Sequence, residues 1–392
     1  MTENHNQPKE YDVVLGSQVQ AASGSVVLGG LEGVKKRLGN AVEAQRIAAL
    51  YEAVKYGEAG LNLVIQALRD ESRKLRLIAY SILQKIPDPI IQETLQNYLY
   101  NSLECLHIIN WHSSWVHSLA VSPDGRNLVT CGQDKTIAMG DLHRGKQIYR
   151  LVYPDTPMSV VISPDGKKVI GGYHDNTVKV LDFQTGQEIC TLKGHSKWVT
   201  SVAISPNGKI IVSGCGDGNV KVWDWERGQV IYTLKHLDVV YCVAISPDGK
   251  TVFSGSRDCT IKGWHLETGK EICTLKGHLV SIRSIAISPD GQVLVSSSED
   301  ETVKVWDLSA EKEIYTIKHP DWVSAIAINP DGQTFVSGCG NRDKMIRVWN
   351  LQTGKEILTL GEHTNTVGCL AFSPDGQTLV SSSSDIKVWG LR

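Results

Sequence analysis

Several things are scarce in this chain, and each scarcity narrows the field. No stretch of the 392 residues approaches 18 consecutive apolar residues, so a membrane-spanning helix is not expected. The N-terminal MTENHNQPKE is polar and lacks the apolar core of a secretory signal. Charge of one sign is missing as well: Lys and Arg number 40 against 42 Asp and Glu, a net charge of −2. The first 105 residues carry 11 basic and 12 acidic side chains, so neither half has the basic footprint of a nucleic-acid binder. Cysteine occurs nine times, an odd number, and never as CxxC. Most cysteines lie in apolar, strand-like runs (Cys190, Cys242, Cys273, Cys369), which points to buried reduced thiols rather than a disulfide framework. These absences together predict a soluble cytoplasmic protein.

What is plentiful is glycine, at 36 residues, and an internal repeat. SPDG or a near copy begins at Ser122, Ser163, Ser205, Ser246, Ser288, Asn329 and Ser373, with spacings of 41, 42, 41, 42, 41 and 44 residues. Ten residues before these anchors stand His112, His195, His236, His278, His319 and His363, with Tyr153 as the exception. Each repeat also has an aspartate: Asp134, Asp175, Asp217, Asp258, Asp300, Asp343 and Asp385. Trp223, Trp264, Trp306 and Trp349 follow theirs by six residues and Trp389 by four. Within the third repeat, WVTSVAIS, IIVSG, KVWDW and VIYTL read as strands separated by PNGK, GDGN and ERGQ turns. Both faces of these strands are apolar, as in sheets covered on both sides.

These residues carry a resemblance. Gly194–His195 and Gly277–His278, with Trp223–Asp224 and Trp306–Asp307, resemble the GH and WD signatures of the WD40 family. The resemblance covers 104–392 and implies a mainly β, seven-bladed propeller. Residues 104–110 match the fourth-strand segments (ECLHII beside EICTL at 271–275) and are expected to complete the last blade, removing an open sheet edge. Residues 31–103 change to a helical period. Ile47, Leu50, Tyr51, Val54, then Leu61, Val64, Ile65, Leu68, then Leu75, Ile78, Ala79, Ile82 form stripes, with Gly57 and Gly60, 70–72 and 87–89 as breaks. QRIAAL at 45–50 and LRLIAY at 75–80 echo each other at a period of 30, which resembles two short HEAT-like helical pairs. Two pairs leave apolar surface for docking. Residues 1–30 are expected to be a flexible segment with VVLG at 13–16 and 26–29, read either as short strands or as a docking motif. The whole layout resembles bacterial, particularly cyanobacterial, WD-repeat scaffold proteins.

Each full blade holds a Ser, a His and an Asp, yet a set repeated around a ring is structural, whereas catalysis needs one site. The WD40 resemblance implies bracing tetrads: His195, Ser213, Asp217, Trp223; His236, Ser254, Asp258, Trp264; His278, Ser296, Asp300, Trp306. Gly140–Gln147 (GDLHRGKQ) only approximates a phosphate loop, and it lies in an interstrand turn. With histidines mostly one per blade, no metal-ligand spacing shows, and no catalytic residue, cofactor or metal is expected.

Three series of positions vary freely between blades. They are Trp115, Thr156, Trp198, Val239, Ser281, Trp322 and Thr366; His117, Met158, Thr200, Tyr241, Arg283, Ser324 and Gly368; and Gln133, His174, Gly216, Arg257, Glu299, Arg342 and Ser384. In the WD40 family the matching positions ring one face and contact partners. The binding candidates are therefore Trp115, Trp198, Trp322, Tyr241, Arg283, Arg257, Arg342, His117, Met158 and Glu299, and packing of the tryptophans against neighbouring loops is the alternative. Blades 1 and 2 depart from the pattern, with Gly140 and Leu181 for Trp and Tyr153 for His. They should be less rigid or braced by the helices. The expected function is a protein-binding scaffold or adaptor. A sensor binding a small ligand or modified peptide in the channel is the alternative, and an enzyme a distant third.

Overall fold

The computed structural model describes residues 30–391 except 92–93, 96–97, 99–102 and 362; both VVLG copies lie outside the described residues. Two compact units divide between Leu95 and Gln96. In the first, α1 (Gly30–Leu38), α2 (Glu43–Ala53), α3 (Gly57–Ala67) and α4 (Arg73–Leu83) are joined by short turns. α2 and α4 begin 30 residues apart, the period of the sequence echo. Their shared core holds Val34, Leu50, Ala53, Val64, Leu75, Ala79 and Leu83. Arg46 of α2 grips Asp70 in the α3–α4 turn at 3.0 and 3.1 Å, and the α4 cap Ser72 donates to Glu43 Oε1 at 2.5 Å.

Two sequence expectations fail in this unit. Tyr51 and Val54 point to solvent, because the buried stripe of α2 runs through Ala49, Leu50 and Ala53. Gly60 does not break a helix but lies inside α3: a Cβ there would overlap the Ala53 carbonyl, so glycine lets the end of α2 meet α3.

The second unit is a seven-bladed propeller of four-stranded antiparallel sheets. Blade 3 is representative, with strands Val199–Ile204, Ile210–Cys215, Asn219–Asp224 and Gln229–Lys235. The SPDG anchor makes the turn between the two inner strands. Its Ser Oγ accepts from the backbone N–H five residues on (2.9 Å in Ser246), its Asp accepts two residues on, and its glycine takes a left-handed φ of +71° at Gly249. Among the described residues, six hydrophobic clusters lie at seams between consecutive blades. Val212, Val220 and Val222 of blade 3 meet Val240, Val243 and Trp264 of blade 4, while Ile211 and Trp223 face Ile170 and Val180 of blade 2. Alternate residues of one strand thus serve two different seams.

The ring is closed by a strand from the start of the unit. Leu103–Ile109 pairs antiparallel with the last strand, Ile386–Leu391, from Leu103↔Leu391 to Ile109↔Ile386, with a bulge between Cys105 and His107. It supplies the outer strand of blade 7, whose other strands are Cys369–Phe372 and Leu379–Ser382. Ile109 also enters the blade 7–blade 1 seam beside Leu128, Val380 and Val388. Deleting residues 103–109 should therefore lower the melting temperature by roughly 10 °C or more, the scale of losing several kcal/mol in a domain of this size. Differential scanning calorimetry showing an unchanged transition would refute this role.

Candidate functional site

The expected tetrads form in full in blades 4, 5 and 7. In blade 4, Trp264 Nε1 donates to Ser254 Oγ (2.9 Å), His236 Nε2 meets the same Oγ (2.8 Å), and His236 Nδ1 meets Asp258 (2.9 Å). Blade 5 repeats this with Trp306, Ser296, His278 and Asp300, each contact at 2.8 Å. Blade 7 does so with Trp389, Ser381, His363 and Asp385 at 2.7, 2.7 and 3.1 Å. Burial works against ionisation of Asp258 and Asp300. Their bonds to histidine, Thr260 or Thr302 and backbone N–H groups outweigh it and hold both carboxyls well below the usual range. Ser254 and Ser296 are fully buried with Oγ already engaged, so these groups brace the blade and offer a substrate no nucleophile.

Blade 3 departs from expectation. Trp223 and His195 bond Ser213 at 2.7 and 2.6 Å, but Asp217 does not reach His195. Its Oδ2 is drawn to the Ser196 hydroxyl at 2.6 Å, where blades 4 and 5 have Leu237 and Leu279 with only an N–H to give. Asn219 also replaces the threonine (Thr260, Thr302) that steadies the aspartate elsewhere. His195 Nδ1 is left buried without a partner. Blade 6 behaves similarly. His319 and Trp349 share Ser337 (2.9 and 2.8 Å), while Asp343 pairs with Arg347, and His319 Nδ1 is without a partner.

In blade 1, His112 links Asp134 (2.9 Å) and Thr130 (2.8 Å), and the Trp111 indole fills the space over Gly140. Blade 2 has no such chain: Tyr153 packs on Tyr173 with centroids 5.1 Å apart, and the exposed Asp175 bonds only its own turn at Thr177.

The variable positions converge on one rim. The first and third series are joined by a backbone hydrogen bond in each of blades 1 to 5, from Gln133 to Trp115 (2.8 Å), His174 to Thr156, Gly216 to Trp198, Arg257 to Val239 and Glu299 to Ser281. In blade 6 the longer turn shifts the register. Gly340 N, not that of Arg342, bonds Trp322 O (2.8 Å), and Arg342 extends outward to pair with Asp321 and Glu301 at 3.1 and 2.6 Å. The second series is the extra residue of a β-bulge in blades 1 to 6: the register skips His117, Met158, Thr200, Tyr241, Arg283 and Ser324. A bulge re-aims its side chain, which gives these positions their common direction.

Neighbouring blades share side-chain contacts across this rim. The Arg283 guanidinium lies 4.4 Å from the Tyr241 ring centre and 5.7 Å from that of Trp322, and meets Glu299 at 3.5 Å. His174 stacks on Trp198 at 5.8 Å, and Trp198 covers Gly216. Trp115 lies over Gly368, and His117 bonds Gln133 at 2.7 Å. Arg257 approaches Asp238 at 3.8 Å, and Met158 is half-buried.

The sequence reading missed two residues here. Leu237 is 95 % exposed and Leu279 84 %, each directly after a tetrad histidine. Their N–H groups are pinned to Asp258 and Asp300 at 3.0 and 2.9 Å, so the tetrad holds both side chains out in solvent. The available signal was leucine at a position that is Ser, Pro or Thr in the other blades.

The WD domain, G-beta repeat model (WD40) matches seven times, at 103–139, 145–182, 186–224, 228–265, 269–307, 311–350 and 354–389. These matches cover more than half of the chain, which therefore belongs to the WD40 family. The comparison with curated proteins found no match.

Two consequences are measurable. With its tetrad absent, blade 2 (157–193) should exchange amide hydrogens faster than blades 4 and 5, while blade 1, with Trp111 over Gly140, should match them; equal protection in all four would count against this. The second concerns acid. Burial, then the charge of Arg347, lowers the His319 imidazole to about 4, against about 6.5 in an unfolded chain. Between these values the unfolded chain binds more protons, so this contribution is fully present above about pH 6.5 and is lost as pH falls toward 4. It is on the order of 3 kcal/mol at most. Urea unfolding of His319→Gln across this window should show a flatter pH dependence than wild type, and an identical slope would remove His319 as a cause.

Proposed function

We propose that this protein is a non-catalytic cytoplasmic scaffold that docks a protein partner on the variable rim of blades 3 to 6. The observation that carries the reading is the pair of exposed leucines, Leu237 and Leu279, in the blades that also supply Tyr241 and Arg283 to the Tyr241–Arg283–Trp322 stack. Aromatic residues and arginine dominate interface hot spots, and a folded chain seldom leaves large apolar side chains this exposed without a use. The stack is held by contacts between three blades, so little side-chain freedom is lost on binding.

The helical unit is the second docking element in this reading. Its paired helices are taken as HEAT-like, with Val42, Tyr51 and Ile90 exposed for contact. The ring carries no strong excess of either charge to recruit nucleic acid, and no described helix is long and apolar enough to cross a membrane. Catalysis has no support in the tetrads, whose hydroxyls are buried and bonded.

Leu237→Ala/Leu279→Ala/Trp322→Ala and Trp115→Ala/Trp198→Ala/Trp322→Ala should fold and should lose a partner that wild type captures. Loss of about 2 kcal/mol per hot spot corresponds to roughly 30-fold weaker binding. Quantitative mass spectrometry of pull-downs from source-cell lysate reads this. Equal capture by wild type and both variants would move the site to the helical unit. Capture by none, with a small-molecule thermal shift, would favour a ligand sensor.

A further inference from the structure

Blade 3 breaks the repeat in a way that the scaffold reading does not use. Cys215 stands where blades 4, 5 and 7 have Ser256, Ser298 and Ser383. In those blades the aspartate is held by its histidine, whereas Asp217 has turned to Ser196 and Asn219, with bonds of 2.6 and 2.9 Å. His195, more than nine-tenths buried, has its Nε2 fixed on Ser213 and its Nδ1 without a partner. In blades 1, 4, 5 and 7 Nδ1 is the atom that meets the turn aspartate. One donor atom each from His195, Cys215 and Asp217 lies within 4.8 Å of the other two.

We propose that His195, Cys215 and Asp217 form a binding site for a single borderline divalent cation of the zinc type. Imidazole nitrogen, thiolate and carboxylate are the donors such an ion selects, and three protein donors leave a fourth position for water. The orienting shell is present: Ser213 Oγ meets His195 Nε2 and itself accepts from Trp223 Nε1 at 2.7 Å. Metal–donor distances of about 2.0–2.3 Å require the three atoms to draw together. Asp217 can supply that movement, because its Oδ2 partner, Ser196, is exposed. Cys215 gives its thiol hydrogen to the Lys197 carbonyl at 3.1 Å, and this proton must leave to solvent as the ion binds. An open pocket of about 580 Å³ on the outer strands of blade 2 reaches Gly194 and His195.

The molecule contains its own control. Blade 6 has the same three residue types, His319, Cys339 and Asp343, again with an unpartnered imidazole Nδ1. There a cation is already in place: the Arg347 guanidinium bonds Asp343 and reaches Cys339 Sγ at 3.4 Å. Lys221 holds the same register position in blade 3, opposite Ser213 as Arg347 is opposite Ser337. Its ammonium goes instead to Thr233 Oγ1 at 3.1 Å, leaving the cluster open.

The test uses the full chain freed of metal by chelation, with Co²⁺ as a spectroscopic probe and Zn²⁺ as competitor. Wild type should develop a thiolate-to-cobalt charge-transfer band that saturates at one equivalent and is bleached by Zn²⁺. Cys215→Ser, which installs the residue of blades 4 and 5, should abolish the band and weaken Zn²⁺ binding at least about 100-fold. Cys339→Ser should leave both unchanged. Zn²⁺ should also raise the melting temperature of wild type and not that of Cys215→Ser. Absence of a thiolate band in wild type overturns the proposal whatever the variants do, as does a band that survives Cys215→Ser.

Discussion

A four-stranded blade with two apolar faces cannot exist alone in water, and every other feature of the propeller follows from that constraint. Val212 and Ile211 are neighbours in one strand, yet they belong to two different cores. A blade is therefore stable only between two others, and a row of blades only if it closes. Closure rests on the pairing of Leu103–Ile109 with Ile386–Leu391, which joins segments far apart in sequence and buries Ile109 in the seam it completes. The entropy of bringing such distant segments together grows only slowly with the length between them, so one ladder of this size can hold the ring.

Within that ring, the tetrads govern turns more than cores. The residue after each turn aspartate is left-handed in blades 1 to 6, and only blade 3 uses glycine there. Lys135, Asn176, Cys259, Glu301 and Lys344 adopt φ between +58° and +70° without that freedom. Strain of this kind costs on the order of 1 kcal/mol or more per residue and persists where neighbouring bonds over-determine the turn. In blades 4 and 5 the aspartate does this, accepting from histidine, threonine and two backbone N–H groups. One of those N–H groups belongs to the exposed leucine. The bond that stiffens the blade thus also presents Leu237 or Leu279 outward, so the internal bracing decides what the blade exposes.

This also explains which parts were legible in the sequence. Seven blades, their strands and the completed tetrads of blades 4 and 5 follow from period and turn chemistry, which are local. The bulges that aim His117, Tyr241 and Arg283 are set by strand pairing, and no residue type announces them. Gly340 rather than Arg342 stands in register because the turn before Asp343 is longer than in the other blades, and spacing from the aspartate does not reveal that. The break between His195 and Asp217 depends on a competitor, the Ser196 hydroxyl, whose effect shows only once the segment after His195 meets the Asp217 turn. A count of one histidine per blade looks for ligands along the chain and passes over Cys215, which a strand and a turn bring to His195 from 20 residues away.

Departures from a repeat are informative because the repeat states what the fold requires. Blades 4 and 5 show that a hydroxyl at position 256 or 298 suffices: it accepts from the N–H of the turn aspartate and donates to a backbone carbonyl. A thiol at position 215 is a poorer acceptor, so the substitution weakens the turn it occupies. Blade 6 offsets the same weakness with a guanidinium, a permanent cation on a planar fork that reaches carboxylate and sulfur together. Blade 3 has a lysine in that register whose single ammonium is held elsewhere, so its carboxylate, thiol and imidazole face one another without a cation. Two blades thus share one donor set and differ in whether the protein itself supplies the positive charge. That difference, more than the presence of cysteine, marks blade 3 as the place where the ring departs from pure architecture.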